Sequence, residues 1–253
     1  VVRYPRAAEP AVNHVSFDAP AGAITAIAGP NGSGKSTLVR ALLGRVPVAS
    51  GSIFVEDADA THLDRREIAR RVAVVSQREE PVFPLSVRDY IALGRHPHLP
   101  LWSTVDRAGP AAIARAIEEA EVQPFLDRTT DELSGGEWQR VRVARALAQD
   151  TPAIVFDEPT TFLDIAHEMA CFELLDALAG RGRTVLVVSH QLNLVARFAS
   201  RVGLLSSGTV AAFGDPAEVM RGEVLERVYQ WPLVVSRDPA VGSPMLVPLR
   251  RHR

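Results

Sequence analysis

The stretch Ile24-Thr25-Ala26-Ile27-Ala28-Gly29-Pro30-Asn31-Gly32-Ser33-Gly34-Lys35-Ser36-Thr37 decides how the rest of this 253-residue chain is read. Residues 24–28 are small or β-branched and form a buried strand, and a helical pattern starts at Lys35. Between them, the spacing Gly29-x4-Gly34-Lys35-Ser36 lets the backbone curl so that several N–H groups point inward. The positive end of the following helix closes that hollow, which suits a phosphate chain. Lys35 is expected to reach the β- and γ-phosphates, and the Ser36 hydroxyl to ligate Mg²⁺. Gly29, Pro30, Asn31, Gly32, Ser33, Gly34, Lys35, Ser36 and Thr37 together form the expected nucleotide loop. The chain has 27 arginines and a single lysine, and that lysine is Lys35. A compact ammonium fits under a tight loop where a planar guanidinium is too large.

Outward from this loop, short apolar runs alternate with helical patterns, as in a mostly parallel sheet wrapped by helices. Residues 72–75, 153–156 and 184–188 read as further buried strands, and 35–43, 165–178 and 192–198 as helices. The first 20 residues and 52–56 read as a smaller antiparallel layer. Residues 85–150 differ: apolar periodicity at 87–93, 111–120 and 136–148 makes them a helical insertion. One α/β unit is expected, with residues 1–84 and 151–230 as its core, 85–150 as a helical subdomain and 231–253 as a C-terminal segment with weak strands.

Bulk composition excludes several classes. Hydrophobic residues are 47%, charged residues 23% and the net charge −2, so no basic field points to nucleic acid. No apolar run approaches the roughly 18 residues needed to cross a bilayer, and no signal-peptide pattern opens the sequence. One cysteine, Cys171, cannot form an intrachain disulfide and reads as a small apolar filler in a helix.

The strand at 153–156 ends in Asp157 and Glu158. Strand C-termini are where ligands gather in an open α/β sheet, so both acids should arrive beside the loop. Asp157 suits the Mg²⁺ shell, and Glu158 suits a general base that polarises water against the γ-phosphate. Leu133-Ser134-Gly135-Gly136-Glu137 opens a helix whose N-terminus offers a second anion site. A second site makes sense if it meets nucleotide held by another copy of the chain.

These motifs, in this order, resemble the ABC transporter ATP-binding family over residues 1 to 230. The resemblance implies the P-loop NTPase fold: a RecA-like core with a mostly parallel sheet, an antiparallel β layer and an inserted helical subdomain. It implies ATP and Mg²⁺ as ligands, with Ser36, Gln77 and Asp157 as the metal's residues. It identifies Ser134, Gly135, Gly136 and Glu137 as the signature motif facing the opposite subunit, and Asp164 as the acidic residue of the D-loop. It makes His190 the switch histidine at the γ-phosphate and Gln77 the glutamine that leads into the helical subdomain. It places Tyr4, 25 residues before Gly29, on the adenine. Glu158, His190, Gln77 and Lys35 are thus the expected catalytic set.

Local stretches resemble the subgroup serving iron-siderophore, haem and cobalamin importers: Leu93-Gly-Arg-His-Pro-His98, the extended run Glu158 to His167, and Asp238-Pro-Ala-Val-Gly-Ser-Pro244. That resemblance implies an ATPase coupled to uptake of an iron-siderophore-type chelate, with haem or cobalamin as the alternative cargo. It implies a second copy of the chain and integral membrane permease subunits as partners, a substrate-binding protein acting indirectly, and a place on the cytoplasmic face of the membrane. A non-transport ATPase working on nucleic acid or ribosomes is disfavoured, because this chain has neither tandem cassettes nor a long coiled-coil insert. His96 and His98 are two ligands on a Pro-containing loop, too few for a closed metal site. Arg140, Arg142 and Arg145 read as a partly exposed helix face, and Arg250 to Arg253 as a solvated tail.

Overall fold

The computed structural model describes residues 1–77, 79, 83–99, 106–161 and 163–250, so Phe162 and the tail residues 251–253 lie outside the described residues. The chain opens with β1 (Ile24–Ala28), the loop, and α1 (Lys35–Leu42). A two-residue pair, β2 (Phe54–Val55) with β3 (Ala58–Asp59), precedes α2 (Arg65–Ala69) and β4 (Val72–Val75). Three helices follow: α3 (Val87–Ala92), α4 (Gly109–Glu119) and α5 (Gly135–Ala148). The chain then returns through β5 (Ala153–Asp157), α6 (Ile165–Gly180), β6 (Thr184–Val188), α7 (Leu192–Phe198), β7 (Arg201–Ser206) and β8 (Thr209–Gly214). It finishes with α8 (Pro216–Val219), α9 (Gly222–Tyr229), β9 (Leu233–Arg237) and β10 (Pro244–Pro248).

Six strands form one sheet in the order β4-β5-β6-β1-β7-β8, parallel except for β8. All five residues of β1 are buried, because helices cover both faces of the sheet. Side chains still alternate: Ile24, Ala26 and Ala28 pack with Phe156, Phe172 and Leu175, whereas Ile27 packs with Val39, Val155 and Leu186. The turn between β7 and β8 takes Ser207 at φ 47° and Gly208 at φ 78°, two left-handed residues that match the twist of a tight hairpin.

The antiparallel layer is thinner than the sequence suggests. Val2 bridges Val12 and Val48, and β2 pairs with β3, but residues 13–21 form no strand. His14 at φ 48° turns the chain, and Pro20 supplies no N–H to a ladder. The helical block carries α3, α4 and α5. α3 and α4 pack on α5 around Val141, Ala144 and Leu147, with the isolated bridge Ser86–Thr129 as its sheet-like pairing among the described residues.

The Leu93–His98 segment forms a 3-10 helix lying so close to α5 that a Cβ on Gly94 would sit 2.1 Å from the Arg145 carbonyl oxygen. Arg66 and Arg70 each donate to the Pro97 carbonyl at 2.9 Å, and His98 Nε2 lies 2.8 Å from the Gln149 carbonyl oxygen. This stretch therefore fastens the helical block to α2. The C-terminal hairpin docks on α7: the Asn193 side-chain oxygen accepts from the Leu246 N–H at 2.7 Å, and Arg197 pairs with Asp238.

Candidate nucleotide site

The loop between β1 and α1 is shaped by glycines that no other residue could replace. Gly29 sits at φ 143° and Gly34 at φ 107°. A Cβ on Gly29 would meet the Leu205 carbonyl oxygen at 2.2 Å, and one on Gly34 the Ala11 carbonyl oxygen at 2.7 Å. The loop is therefore wedged against β7 and residue 11 and held in its curl. The Lys35 ammonium donates to the carbonyls of Gly29 at 2.7 Å and Pro30 at 3.0 Å. Burial lowers its pKa, while Glu158 and Asp157 pull it back up. The Ser33 hydroxyl is buried without a protein partner, and Ser36, Asn31 and Gly32 are open to solvent. Tyr4 is brought to this end of the sheet, its hydroxyl 3.3 Å from Thr37 Oγ1 and 3.2 Å from the Arg40 guanidinium; these hydrogen bonds lower its pKa.

The acids stand one strand beyond β6. Asp157 closes β5, and burial followed by the Glu158 charge raises its pKa. Glu158 takes the left-handed conformation at φ 53°, which for a non-glycine residue costs about 1–2 kcal/mol. Its N–H donates to the Val188 carbonyl at 2.8 Å, and the Thr161 hydroxyl donates to its carbonyl at 3.2 Å. That kink turns its carboxylate towards β6: Oε2 lies 2.5 Å from His190 Nδ1 and accepts from the His190 N–H at 3.3 Å. Lys35, Asp157, Glu158 and His190 thus converge on the C-terminal edge of β1, β5 and β6. Gln77 is exposed two residues past β4, on the strand next to β5.

Ser134 to Glu137 stand apart. Ser134 caps α5: its hydroxyl accepts from the Glu137 N–H, and Glu137 Oε2 accepts from the Ser134 N–H at 2.8 Å. Arg128 pairs with the same carboxylate at 3.0 Å. Gly136 lies directly against His167, whose Nδ1 is 2.8 Å from Asp164 Oδ1; the Asp164 side chain in turn caps α6. No hydrogen bond or ion pair among the described residues joins Ser134–Glu137 to residues 29–37.

Residues 12–161 match the family profile described as ABC transporter. The chain belongs to the ABC transporter family. It is 36% identical over 239 residues to the ferric enterobactin transport ATP-binding protein FepC of Escherichia coli, covering 94% of this chain and 88% of that one. It is 41% identical over 241 residues to the hemin import ATP-binding protein HmuV of Nocardia farcinica, covering 94% and 82%. Among solved structures, a metal-chelate type ABC transporter in an inward-facing conformation superposes with a TM-score of 0.80 at 27% identity, covering 94% of this chain and 90% of that one. This ABC cassette binds ATP and is an ATPase coupled to transport. Such subunits dimerise and work with membrane permease components. Among the described residues of the cassette, no helix is long and apolar enough to cross a membrane.

Several buried polar contacts escape a reading of the sequence. Arg142 is not on an exposed face: it is 6% exposed, and Arg145 is half-buried, because both turn towards the carboxylate of Glu79. The signal was present as Trp138, Arg142 and Arg145, spaced four and three apart on one face of α5. Tyr229, at the end of α9, has a buried hydroxyl, and burial raises its pKa to about 12. That hydroxyl has no hydrogen-bond partner among the described residues, and the Glu158 charge adds to the upward shift. Nothing local in Val228-Tyr229 announces this. Cys171 is buried and free as expected, its thiol pushed up to about 12 by burial.

Proposed function

We propose that this chain powers import of an iron chelate by hydrolysing ATP in two composite sites shared between two copies seated under a membrane permease. The observation that carries the catalytic reading is the Glu158–His190 contact at 2.5 Å, at the strand edge that also presents Lys35 and Asp157.

Lys35 currently rests on loop carbonyls, bonds that a phosphate oxygen would replace with a stronger charge-assisted one. The Ser33 hydroxyl, without a partner inside the loop, is available to donate to the same phosphate. Ser36, Asp157 and Gln77 offer oxygen donors only. That suits Mg²⁺, which is usually held by one or two protein carboxylates together with substrate phosphate. When bound, Mg²⁺ would neutralise charge on the phosphate oxygens. Glu158, kinked off the strand, would accept a proton from the attacking water. His190, half-exposed beside it, would orient that carboxylate and touch the γ-phosphate. Tyr4, anchored to Thr37, would carry the adenine.

Because Ser134–Gly136 stands apart from its own loop, it is read as closing the site of a second copy. The D-loop residue Asp164 is fixed to the same surface through His167. The cassette then sits on the cytoplasmic face, held by the permease, with a substrate-binding protein acting further upstream.

The decisive variant is Glu158→Gln. Turnover should fall about 100-fold or more while ATP binding persists and the closed dimer accumulates. Hydrolysis at the wild-type rate would remove Glu158 as the base. The iron-siderophore reading rests on FepC-like relatives, and the higher identity to the hemin relative favours haem as the second reading. ATP-driven uptake of a ferric siderophore and of haem, measured side by side with the co-purified permease, separates them.

A further inference from the structure

Two residues past Gln77, the side chain of Glu79 is drawn into the helical block by groups from two helices. Its carboxylate accepts from the Tyr90 hydroxyl of α3 at 2.8 Å and from both terminal nitrogens of Arg145 on α5, one of them at 3.0 Å. Arg142 Nε stands 3.9 Å from the same carboxylate. The backbone carbonyl of Glu79 accepts from Trp138 Nε1 at 3.0 Å, and Arg142 also donates to the carbonyl of Ser76. The aromatic parts close over these contacts: the Tyr90 and Trp138 rings lie 4.7 Å apart, and the Arg145 guanidinium sits 5.1 Å over Tyr90. Burial, with the Glu79 charge adding to it, pushes the Tyr90 hydroxyl far above its ordinary pKa, so it remains a donor.

The carboxylate is 21% exposed and Arg142 only 7%, so water screens this cluster little. Removing the acid would take the acceptor from the Tyr90 hydroxyl and the Arg145 guanidinium, and the nearby counter-charge from buried Arg142. Every partner on α5 lies within three turns of Ser134, the residue that caps the signature end of that helix. The residues on either side of Gln77, Ser76 and Glu79, are both bonded to α5.

We propose that Glu79 is a positioning residue that latches the segment around Gln77 to the signature helix. The helical block then cannot turn against the sheet without moving Gln77. The inference rests on the reading of Gln77 and Ser134–Gly136 as nucleotide contacts. It adds a physical link between them that neither motif contains. Glu79 touches no nucleotide: it sets where Gln77 stands when α5 is in a given orientation.

The test uses the purified full chain with Glu79→Ala, Tyr90→Phe and Gln77→Ala. Amide hydrogen exchange is followed by mass spectrometry, and kcat and KM for ATP are measured in parallel. Glu79→Ala should speed exchange in peptides spanning Gln77 and α5 by about tenfold, with β1, β5 and β6 unchanged. Its kcat should fall about tenfold with KM for ATP within about twofold, because the loop that binds ATP is not touched. Tyr90→Phe, which removes a single hydroxyl, should shift both readouts the same way by about threefold.

Wild-type exchange at Gln77 together with wild-type kcat in Glu79→Ala would overturn the latch. If Gln77→Ala lowers kcat and Glu79→Ala does not, the latch alone fails. If Gln77→Ala leaves kcat untouched, the reading of Gln77 fails and the latch falls with it. Should Glu79→Ala not fold, Glu79→Gln keeps an acceptor for Tyr90 but gives up the charge. Its exchange and kcat should then lie between those of Glu79→Ala's predicted values and wild type, and wild-type values would refute the proposal.

Discussion

Gly136, near the start of α5, carries a packing constraint that can be measured without nucleotide. A Cβ built on Gly136 falls 2.0 Å from His167 Cδ2 and 2.4 Å from its Nε2, against about 3.4 Å for an ordinary contact. Gly136→Ala must therefore push the imidazole aside or tilt α5, and overpacking of this kind costs about 1–3 kcal/mol. Working against it, alanine inside a helix is favoured over glycine by about 1 kcal/mol. The single variant should come out net destabilised by up to about 2 kcal/mol. At that upper end Tm falls by roughly 4–8 °C in a chain of this size.

In a His167→Ala background the clash is gone and only the helix preference remains. There Gly136→Ala should be neutral or stabilising by about 1 kcal/mol. The double-mutant cycle, read by urea or thermal unfolding of the nucleotide-free protein, should give a coupling of about 1–3 kcal/mol between the two positions. Additive effects, with coupling near zero, would show that His167 does not rest on Gly136 and would refute the packing.

Further outcomes follow from the site's electrostatics and shape. Lys35→Arg should weaken ATP binding about 10–100-fold despite keeping the charge, because the guanidinium cannot occupy the space beneath the Gly29 and Pro30 carbonyls; equilibrium binding checks it. Asp157→Asn should raise Tm at pH 7 while abolishing hydrolysis. The folded pKa of Asp157 lies above its ordinary 3.8, so ionising it costs stability above that raised pKa, and the cost is relieved as pH falls towards 3.8. The Tm gain of Asp157→Asn should therefore shrink on acidification, and a gain that grows instead would contradict the assignment. Asn193→Ala should loosen the C-terminal hairpin, seen as faster proteolysis within residues 231–250 with the sheet core intact.

How much of this was legible in the sequence depends on how local each signal is. β1, β4, β5 and β6 could be read because strands buried on both faces are unbroken apolar runs, and the loop after β1 because its glycines are required within a few residues. The acidic pair after β5 was readable for the same reason: strand and acids are adjacent in the chain. What escaped depends on distant partners. Arg142 and Arg145 look like solvent-facing charges until the fold brings Glu79, more than 60 residues earlier, against α5. The burial of the Tyr229 hydroxyl likewise follows from the packing of α9 and not from its neighbours in sequence. The thin N-terminal layer was over-read: Val12 bridges Val2, but His14 turns the chain and residues 13–21 form no ladder.

The central claim, that each ATP site is completed by a second copy, is tested most directly by mixing two inactive chains. Lys35→Ala spoils the loop, and Ser134→Arg spoils the signature end of α5. In a mixed dimer one site would carry both lesions and the other neither. The account predicts that each variant alone is nearly inactive and that the mixture recovers up to about a quarter of wild-type turnover. A mixture no more active than its two components would place the whole site within one chain and contradict the account.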